Sequence, residues 1–171
     1  MDLRDVKEFL KDSFSYIFFI ACIFFICVYI VGIEQVVGPS MTPTYLNGDI
    51  LVVDKFSYIF GDVKRNDIIS FSNSTSKYLI KRVIGLPGDK VEFKNNELYI
   101  NDRLFIEEYL SDESITHDFT FDTLGVSVVP EGSYFVLGDN RTNSQDSRDP
   151  KIGFVKKEDI VGRVWFKLWS K

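Results

Sequence analysis

One segment of this 171-residue chain holds a serine in a setting suited to nucleophilic chemistry. Residues 38–44 read GPSMTPT, so Ser40 is bracketed by Pro39 and Pro43. Because proline fixes the backbone φ angle, we expect Ser40 to sit on a stiff loop. A serine hydroxyl held in this way could attack a carbonyl group, provided that a general base takes its proton. An ordinary turn is the alternative interpretation of the same residues.

The usual base beside a nucleophilic serine is histidine, and the chain has one, His117. It lies in a polar stretch, residues 102–124, with no motif around it, which favours an isolated surface histidine. Lysine replaces histidine in Ser-Lys variants of this chemistry. A catalytic Ser40 would therefore require a lysine base.

The segment 77–86 supplies that lysine on a predicted strand. Alternate strand residues share a face, so Lys81 lies on the same side as Leu79 and Val83, whereas Arg82 points the other way. An apolar environment disfavours the ammonium form and lowers the pKa of a lysine. The neutral amine that results is what a general base requires. A lysine on an edge strand whose amine reaches water is the alternative.

A third segment, residues 138–150, reads GDNRTNSQDSRDP and is too polar to be a strand. Its paired charges are expected to form charge-assisted hydrogen bonds that hold Ser144 near the site. These charges are Asp139, Arg141, Asp146 and Arg148. A calcium loop built from Asp139, Asn143 and Asp149 is the alternative, but the EF-hand spacing with its closing Glu is absent. We therefore predict no metal.

These segments follow a long apolar run at the N-terminus. Residues 13–33 read SFSYIFFIACIFFICVYIVGI and contain no charge. This length suffices to cross about 30 Å of hydrocarbon, which predicts a membrane-spanning helix. A cleavable secretory signal would have a shorter apolar core and a small-residue cleavage site, and a buried core helix would have a polar stripe.

The flanking charges predict how the helix is oriented in the cell membrane. Three basic residues precede the run, and the next one follows only at Lys55; the three are Arg4, Lys7 and Lys11. Because Lys and Arg resist translocation, the N-terminus is expected to be cytoplasmic. The predicted parts are a cytoplasmic N-terminus, a transmembrane helix and an extracytoplasmic domain, at residues 1–12, 13–33 and 34–171. Both cysteines lie inside the run, so the outer domain has no disulfide available.

The outer domain has the pattern of a largely antiparallel β protein. Short apolar runs alternate with turn residues, and there is no convincing amphipathic helix between them. The predicted strands are Asp49–Val53, Asp67–Phe71, Lys77–Leu86, Lys90–Phe93, Glu97–Ile100, Val126–Val129, Ser133–Leu137 and Ile160–Phe166. The polar stretch 102–124 is expected to be an insertion or a flexible excursion. A net charge of −5 makes a poor nucleic-acid binder.

Together these motifs resemble the bacterial type I signal peptidases, in the form with one N-terminal span that is found in Gram-positive bacteria. The resemblance rests on the span followed in order by GPSMTPT, GDIL, RNDIISF, KYLIKRVIGLPGD and GDNRTNSQDSRD. It implies an antiparallel β-sheet catalytic domain, similar to that of the self-cleaving SOS repressors, behind one transmembrane helix. It also implies a membrane-bound serine endopeptidase that cleaves N-terminal signal peptides from exported preproteins, without cofactor or metal.

The resemblance implies a role for each site residue. Ser40 is the nucleophile, Lys81 is the general base, and Ser144 hydrogen-bonds the lysine amine and orients it. Met41 lines the approach to the site. Structural support comes from the four charged residues Asp139, Arg141, Asp146 and Arg148. Some members have a side-chain oxyanion donor where this chain has Gly38, so here the Ser40 backbone N–H and a second donor would bind the oxyanion.

Small residues at the −1 and −3 positions of the substrate are also implied by the resemblance. An extended substrate could pair with a sheet edge, and we expect 49–53 and 77–86 to form the walls of its groove. Aromatic residues near the membrane could dip into the interface or belong to the β core. We expect the core for Trp165 and Phe166, and leave both possibilities open for 56–60.

Two other functions remain open. One is a dedicated peptidase of the same fold that matures a single substrate. The other is a non-catalytic β module that binds a partner at the cell surface. The span and the lack of a DNA-binding segment disfavour a self-cleaving repressor.

Overall fold

The computed structural model describes residues 3–72, 78–111 and 114–170. Helix α1 spans Leu3–Phe25 and continues as a π-helix over Ile26–Ile30. Ten strands follow: β1 Val31–Gln35, β2 Ile50–Asp54, β3 Ile68–Ser72, β4 Tyr78–Gly85, β5 Val91–Lys94, β6 Glu97–Ile100, β7 Arg103–Phe105, β8 Ser133–Leu137, β9 Val155–Lys156 and β10 Ile160–Trp169. The short helices are α2, Ser57–Phe60, and two 3₁₀ turns at Phe121–Leu124 and Lys157–Asp159.

The N-terminal helix is apolar over Leu10–Ile30, a 21-residue stretch long enough to cross a membrane. None of its most apolar part is buried inside the molecule. The helical part ends three residues before the predicted end of the span. Val31–Gln35 instead pairs with β2, with Ile33 opposite Val52. Hydropathy alone does not separate an apolar strand from the end of an apolar helix, which explains the difference.

Seven strands form one antiparallel sheet in the order β1-β2-β10-β3-β4-β8-β9, and the other three form the sheet β5-β6-β7. This confirms the predicted mainly antiparallel β fold. Strands cover seven of the eight predicted strand regions; β6 and β8 have the predicted bounds, and the bounds of the others differ by one to three residues. Lys77, the predicted start of one strand, lies outside the described residues, and β4 begins at Tyr78.

The predicted strand Val126–Val129 is wrong. Val129 is almost fully buried, but its backbone is fixed by turn contacts rather than by a strand ladder. Its N–H donates to the Asp89 carbonyl at 2.8 Å, and its carbonyl accepts from the Gly88 N–H at 2.9 Å. The alternating apolar residues of this segment reflect the burial of Val129 against the Pro-Gly turn at residues 87–88.

The described parts of the polar stretch, residues 102–111 and 114–124, pack on the domain, so of the two expectations, an insertion or a flexible excursion, the structure favours the insertion. It contains β7, which pairs with β6. Phe119 forms an isolated bridge with Phe93. The rings of Phe119 and Phe121 lie 5.5 and 5.1 Å from that of Phe135 in the core. The aromatic side chains within the polar stretch therefore anchor it.

The aromatic side chains of β10 also depart from expectation. Trp165 is 52% exposed and Phe166 is 51% exposed, so neither is buried in the core. Helix α2 is divided: Tyr58 packs against the core, whereas Ile59 and Phe60 are 63% and 82% exposed. The Lys55 N–H donates to the Ile30 carbonyl at 2.9 Å, which places the start of α2 beside the end of the N-terminal helix.

Candidate active site

Ser40 lies in the loop between β1 and β2, and this loop is held at several points. The Thr42 N–H donates to the Pro39 carbonyl at 3.1 Å, closing a turn around Ser40. The Gly38 N–H donates to Asn47 Oδ1 at 2.8 Å, and Gly38 has a φ of 85°, which favours glycine. The Asn140 N–H donates to the Ser40 carbonyl at 3.0 Å. The loop is therefore fixed to the segment 138–150.

Lys81 comes from β4 and reaches Ser40. Its Nζ lies 2.7 Å from Ser40 Oγ and 2.9 Å from the carbonyl oxygen of Ile80. The residue is only 2% exposed. Burial lowers the pKa of Lys81 from its ordinary 10.5 to about 8, while the carboxylates of Asp146 and Asp139 oppose part of that shift. A substantial fraction of this amine is therefore neutral near physiological pH.

Ser144 lies beside this pair, packed against Gly138. Within the described part of the chain its Oγ is buried without a hydrogen-bond partner. The hydrogen bond from Ser144 to the lysine amine that the resemblance implies is thus not formed in this structure. A Cβ on Gly138 would overlap both Ser144 Oγ and the Ser40 carbonyl oxygen. The glycine allows the two segments to approach closely.

The neighbouring Arg82 points away from Lys81, as strand alternation predicted, and binds Asp139. Its Nε and Nη2 lie 2.8 and 2.7 Å from the two oxygens of the Asp139 carboxylate. Asp139 is fully buried, and the Arg82 guanidinium stacks 3.9 Å from the ring centroid of Tyr109. This bidentate pair joins β4 to the start of the segment 138–150.

The remaining predicted support residues form two further ion pairs. Arg148 Nε and Nη2 each lie 2.8 Å from an oxygen of Asp146, which also accepts from the Gly138 N–H at 3.0 Å. Arg141 Nη1 lies 2.8 Å from Glu107 Oε2. Among the described residues no group of three or more His, Cys, Asp or Glu side chains could hold a metal ion. Of the three residues in the calcium-loop alternative, Asp139 binds Arg82 with both carboxylate oxygens.

A groove of about 760 Å³ extends from the serine and lysine. Its walls are residues 32–37, from β1 and the loop after it, and residues 78–81 at the start of β4. β1 is an edge strand, and β8 pairs with β4 only from Arg82 onward. The predicted wall at 49–53 is wrong, because β2 lies behind β1 and its Leu51 and Val53 are buried.

Met41 is fully buried and lies among the lining residues beside Ser40, where the sequence placed it. His117 is exposed and does not line the groove. Glu34 and Ser70, whose side chains hydrogen-bond at 2.9 Å next to the groove, were not among the predicted site residues. No local motif links Glu34 to a residue 36 positions away in the chain.

The groove is lined by the edge strand β1 and ends at a serine and a buried lysine. An extended peptide can pair with such an edge, so fold and site together indicate a peptidase. Comparison with known proteins bears on this directly. The family model for signal peptidase, peptidase S26, matches residues 7–169. The chain belongs to this family of peptidases.

Curated relatives and a solved structure agree with the family model. The signal peptidase I of Bacillus caldolyticus is 46% identical over 140 residues, covering 77% of this chain and 76% of the relative. The signal peptidase IB of Staphylococcus aureus strain N315 is 35% identical over 176 residues, covering 95% and 91%. The crystal structure of a signal peptidase I from Enterococcus faecalis V583 is 40% identical with a TM-score of 0.54, covering 60% of this chain and 96% of that one.

Proposed function

We propose that this chain is a membrane-anchored serine endopeptidase that removes N-terminal signal peptides from exported preproteins. Ser40 is the nucleophile and Lys81 is the general base. The observation that carries the proposal is the 2.7 Å separation between Lys81 Nζ and Ser40 Oγ at the end of the groove. Family membership supports the substrate class, since the relatives are signal peptidases.

The reaction begins with the neutral amine of Lys81. This amine accepts the Ser40 hydroxyl proton while Oγ attacks the scissile carbonyl carbon. The resulting ammonium gives that proton to the departing amine, which leaves an ester between Ser40 and the signal peptide. Lys81 then takes a proton from a water molecule, whose oxygen attacks the ester and regenerates the hydroxyl. One base therefore serves both halves of the reaction.

The negative oxygen of each tetrahedral intermediate needs hydrogen-bond donors. Gly38 has no side chain to offer, and its own N–H is already bonded to Asn47. We assign the oxyanion to the Ser40 backbone N–H, on the turn that Pro39 and Thr42 close, with a second donor beside it.

Ser144 serves the protonated state of the lysine in this proposal. An ammonium has three N–H donors. Ser40 Oγ and the Ile80 carbonyl accept two of them. The buried and unpartnered Oγ of Ser144 is the acceptor that we assign to the third, once Lys81 gains its proton. Ser144 thereby orients the amine at the step that charges it.

The N-terminal helix keeps this site at the membrane, where signal peptides enter and leave the bilayer. We propose that residues 1–12 are cytoplasmic, that 13–33 span the membrane and that 34–171 form the extracytoplasmic catalytic domain. Strand β1 starts at Val31, so its first three residues overlap the end of this predicted span. The basic residues Arg4, Lys7 and Lys11 support this orientation. The exposed apolar side chains of α2 lie on the membrane side of the domain.

The test is cleavage of several unrelated preproteins by the purified full-length chain in detergent, with the cut mapped by mass spectrometry. Ser40→Ala and Lys81→Ala are each expected to lower the cleavage rate by about 10³-fold or more. Ser111→Ala and Lys94→Ala, at exposed positions, are the matched controls and should retain full activity. Full activity in either dyad variant would exclude the mechanism, and cleavage of only one preprotein would indicate a dedicated peptidase.

A further inference from the structure

The floor of the groove contains a carboxylate in an otherwise apolar setting. Strand alternation puts Gly32, Glu34 and Val36 on the same face of β1. Glu34 pairs in register with Leu51 of β2, and the buried cluster on this face includes Val36, Leu51 and Ile80. Glu34 itself lines the groove. A charged side chain therefore lies where its neighbours are aliphatic.

The partner of this carboxylate comes from a distant strand. Ser70 of β3 is fully buried, and its Oγ donates to Glu34 Oε1 at 2.9 Å. Ser70 pairs with Ile80 of β4, so it lies on the same inner face of the curved sheet. The hydrogen bond thus crosses the floor of the groove from the β1 wall toward the β4 wall.

The second oxygen of Glu34 is unsatisfied. Oε2 is buried, and among the residues that the structure describes it has no hydrogen-bond partner. A buried acceptor without a donor is unfavourable, so a ligand that brings a donor to it binds more tightly than one that does not. A hydrogen-bond donor from a ligand would therefore be most favourable at this oxygen of the groove floor.

The spacing along β1 relates this oxygen to the scissile bond. Val36 belongs to the same buried cluster as Met41, which follows Ser40 in the chain. Glu34 precedes Val36 on the same face of the backbone, about 6.7 Å away along the strand. An extended peptide between the two walls has the same two-residue repeat. Its −1 side chain then faces Val36 and Met41, and its −3 side chain faces Glu34, with the buried Ser70 behind that carboxylate.

We propose that Glu34 and Ser70 form a polar subsite that selects a small hydroxyl side chain, serine or threonine, at the −3 position of the substrate. The inference rests on the proposed function, since it needs a peptide cut at Ser40. A small shift of the Glu34 side chain opens Oε2 to the groove, where the substrate hydroxyl donates to it, while Oε1 keeps the hydrogen bond from the Ser70 hydroxyl.

A basic side chain fits this subsite less well than a hydroxyl. Lys55 lies over β1, since a Cβ on Gly32 would press against its side chain. Lys55 also lines the groove. Its ammonium lies near Gly32, which precedes Glu34 on the same face of β1. A lysine at −3 would bring a second cation toward this ammonium, whereas a neutral hydroxyl would not.

The test compares preproteins that differ only at −3, with threonine or valine, which have nearly the same shape. For the full-length chain in detergent we expect kcat/KM to favour threonine by about tenfold, the effect of one charge-assisted hydrogen bond. A substrate with serine at −3 should likewise have a higher kcat/KM than one with alanine. Equal rates for threonine and valine would overturn the subsite while leaving the peptidase intact. A preference for lysine over threonine would also overturn it.

Variants assign the preference to the two residues. Glu34→Leu combined with Ser70→Val removes both polar groups together, so neither is left unpaired, and should reverse the preference toward valine. Glu92→Leu, a carboxylate on β5 outside the groove, is the matched control and should keep the preference for threonine. A preference unchanged in the double variant would overturn the assignment. Absence of any cleavage by the folded chain would instead overturn the proposed function, and the subsite with it.

Discussion

At the scale of single residues, Lys81 combines burial with a task that requires a proton acceptor. Desolvation by the surrounding groove and sheet is the main cause of its low pKa, and the nearby carboxylates limit the shift rather than produce it. The residue therefore destabilises the folded state when it is charged. The proposed role of Lys81 as general base accounts for a lysine at this position.

This cost can be measured as a pH-dependent stability difference. Because the pKa is lower in the folded state, the unfolded chain binds more protons between about pH 8 and 10.5, and wild-type stability rises with pH across that window. Below pH 8 the penalty is fully present. Lys81→Met should therefore raise the free energy of unfolding at pH 7 by up to about 3 kcal/mol, with the gain vanishing near pH 10.5.

Urea denaturation of the full-length chain in detergent at several pH values would test this. Lys94→Met, at an exposed position, should show no such trend. A difference between Lys81→Met and wild type that did not change with pH would contradict the linkage.

The pairing of Ser40 with Lys81 was predicted from sequence although the two residues are 41 positions apart, because each lies in a motif of its own. Prolines bracket Ser40, and strand alternation places Lys81 and Arg82 on opposite faces, in line with their separate contacts with Ser40 and Asp139. Glu34 was not predictable, because neither it nor its partner Ser70 lies in such a motif and only the fold of the sheet brings the two side chains together.

At the scale of elements, the site depends on how the segment 138–150 is fixed against the sheet. Ion pairs of Arg82, Arg141 and Arg148 fix it. One of these pairs reaches Glu107 in the polar stretch 102–124, for which the sequence left an insertion or a flexible excursion open. That stretch therefore helps to hold the active-site segment in place.

The Glu107 pair should contribute strongly to stability. The Arg141 side chain is fully buried, so removal of its partner leaves an uncompensated charge. Glu107→Ala should lower the free energy of unfolding by about 3–5 kcal/mol, the cost of breaking a buried ion pair. The adjacent Glu108→Ala, at an exposed position, is the matched control and should change it by no more than about 0.5 kcal/mol. Similar melting temperatures for the two variants would show that the polar stretch does not anchor the segment.

Elements were predictable where turn residues mark both ends of an apolar run, as for β8. Val126–Val129 is also a mainly apolar run between turn residues, but Val129 forms turn contacts with Gly88 and Asp89. Conversely, β1 was hidden at the end of a long apolar helix. In both places the pairing partner, rather than the local pattern, decides whether a strand forms.

At the scale of the whole molecule, one group of exposed apolar side chains outside the N-terminal helix lies on α2, on the residue before it and on β10. These side chains are Phe56, Ile59, Phe60, Trp165, Phe166, Leu168 and Trp169. The link from Lys55 to Ile30 places α2 next to the end of the apolar helix. In the proposed topology this surface contacts the bilayer interface, where aromatic side chains are favoured. Composition could not decide between interface and core, because both favour the same residues.

The two tryptophans report on this contact, since the chain has no others. In vesicles, brominated lipid should quench the tryptophan fluorescence of the full-length chain, and Phe60→Ser should weaken the quenching. Trp165→Phe leaves Trp169 as the single reporter. Quenching by acrylamide in water with no effect of brominated lipid would show that the surface faces solvent.

The pH dependence of kcat/KM for preprotein cleavage tests the Ser40–Lys81 mechanism most directly. Because the essential base must be neutral, activity should rise with pH through a single acid limb centred near the Lys81 pKa of about 8. His117→Ala should leave this limb unchanged. A limb near pH 6.5, the ordinary value for histidine, that disappears in His117→Ala would contradict the account, as would a limb near the ordinary lysine value of about 10.4.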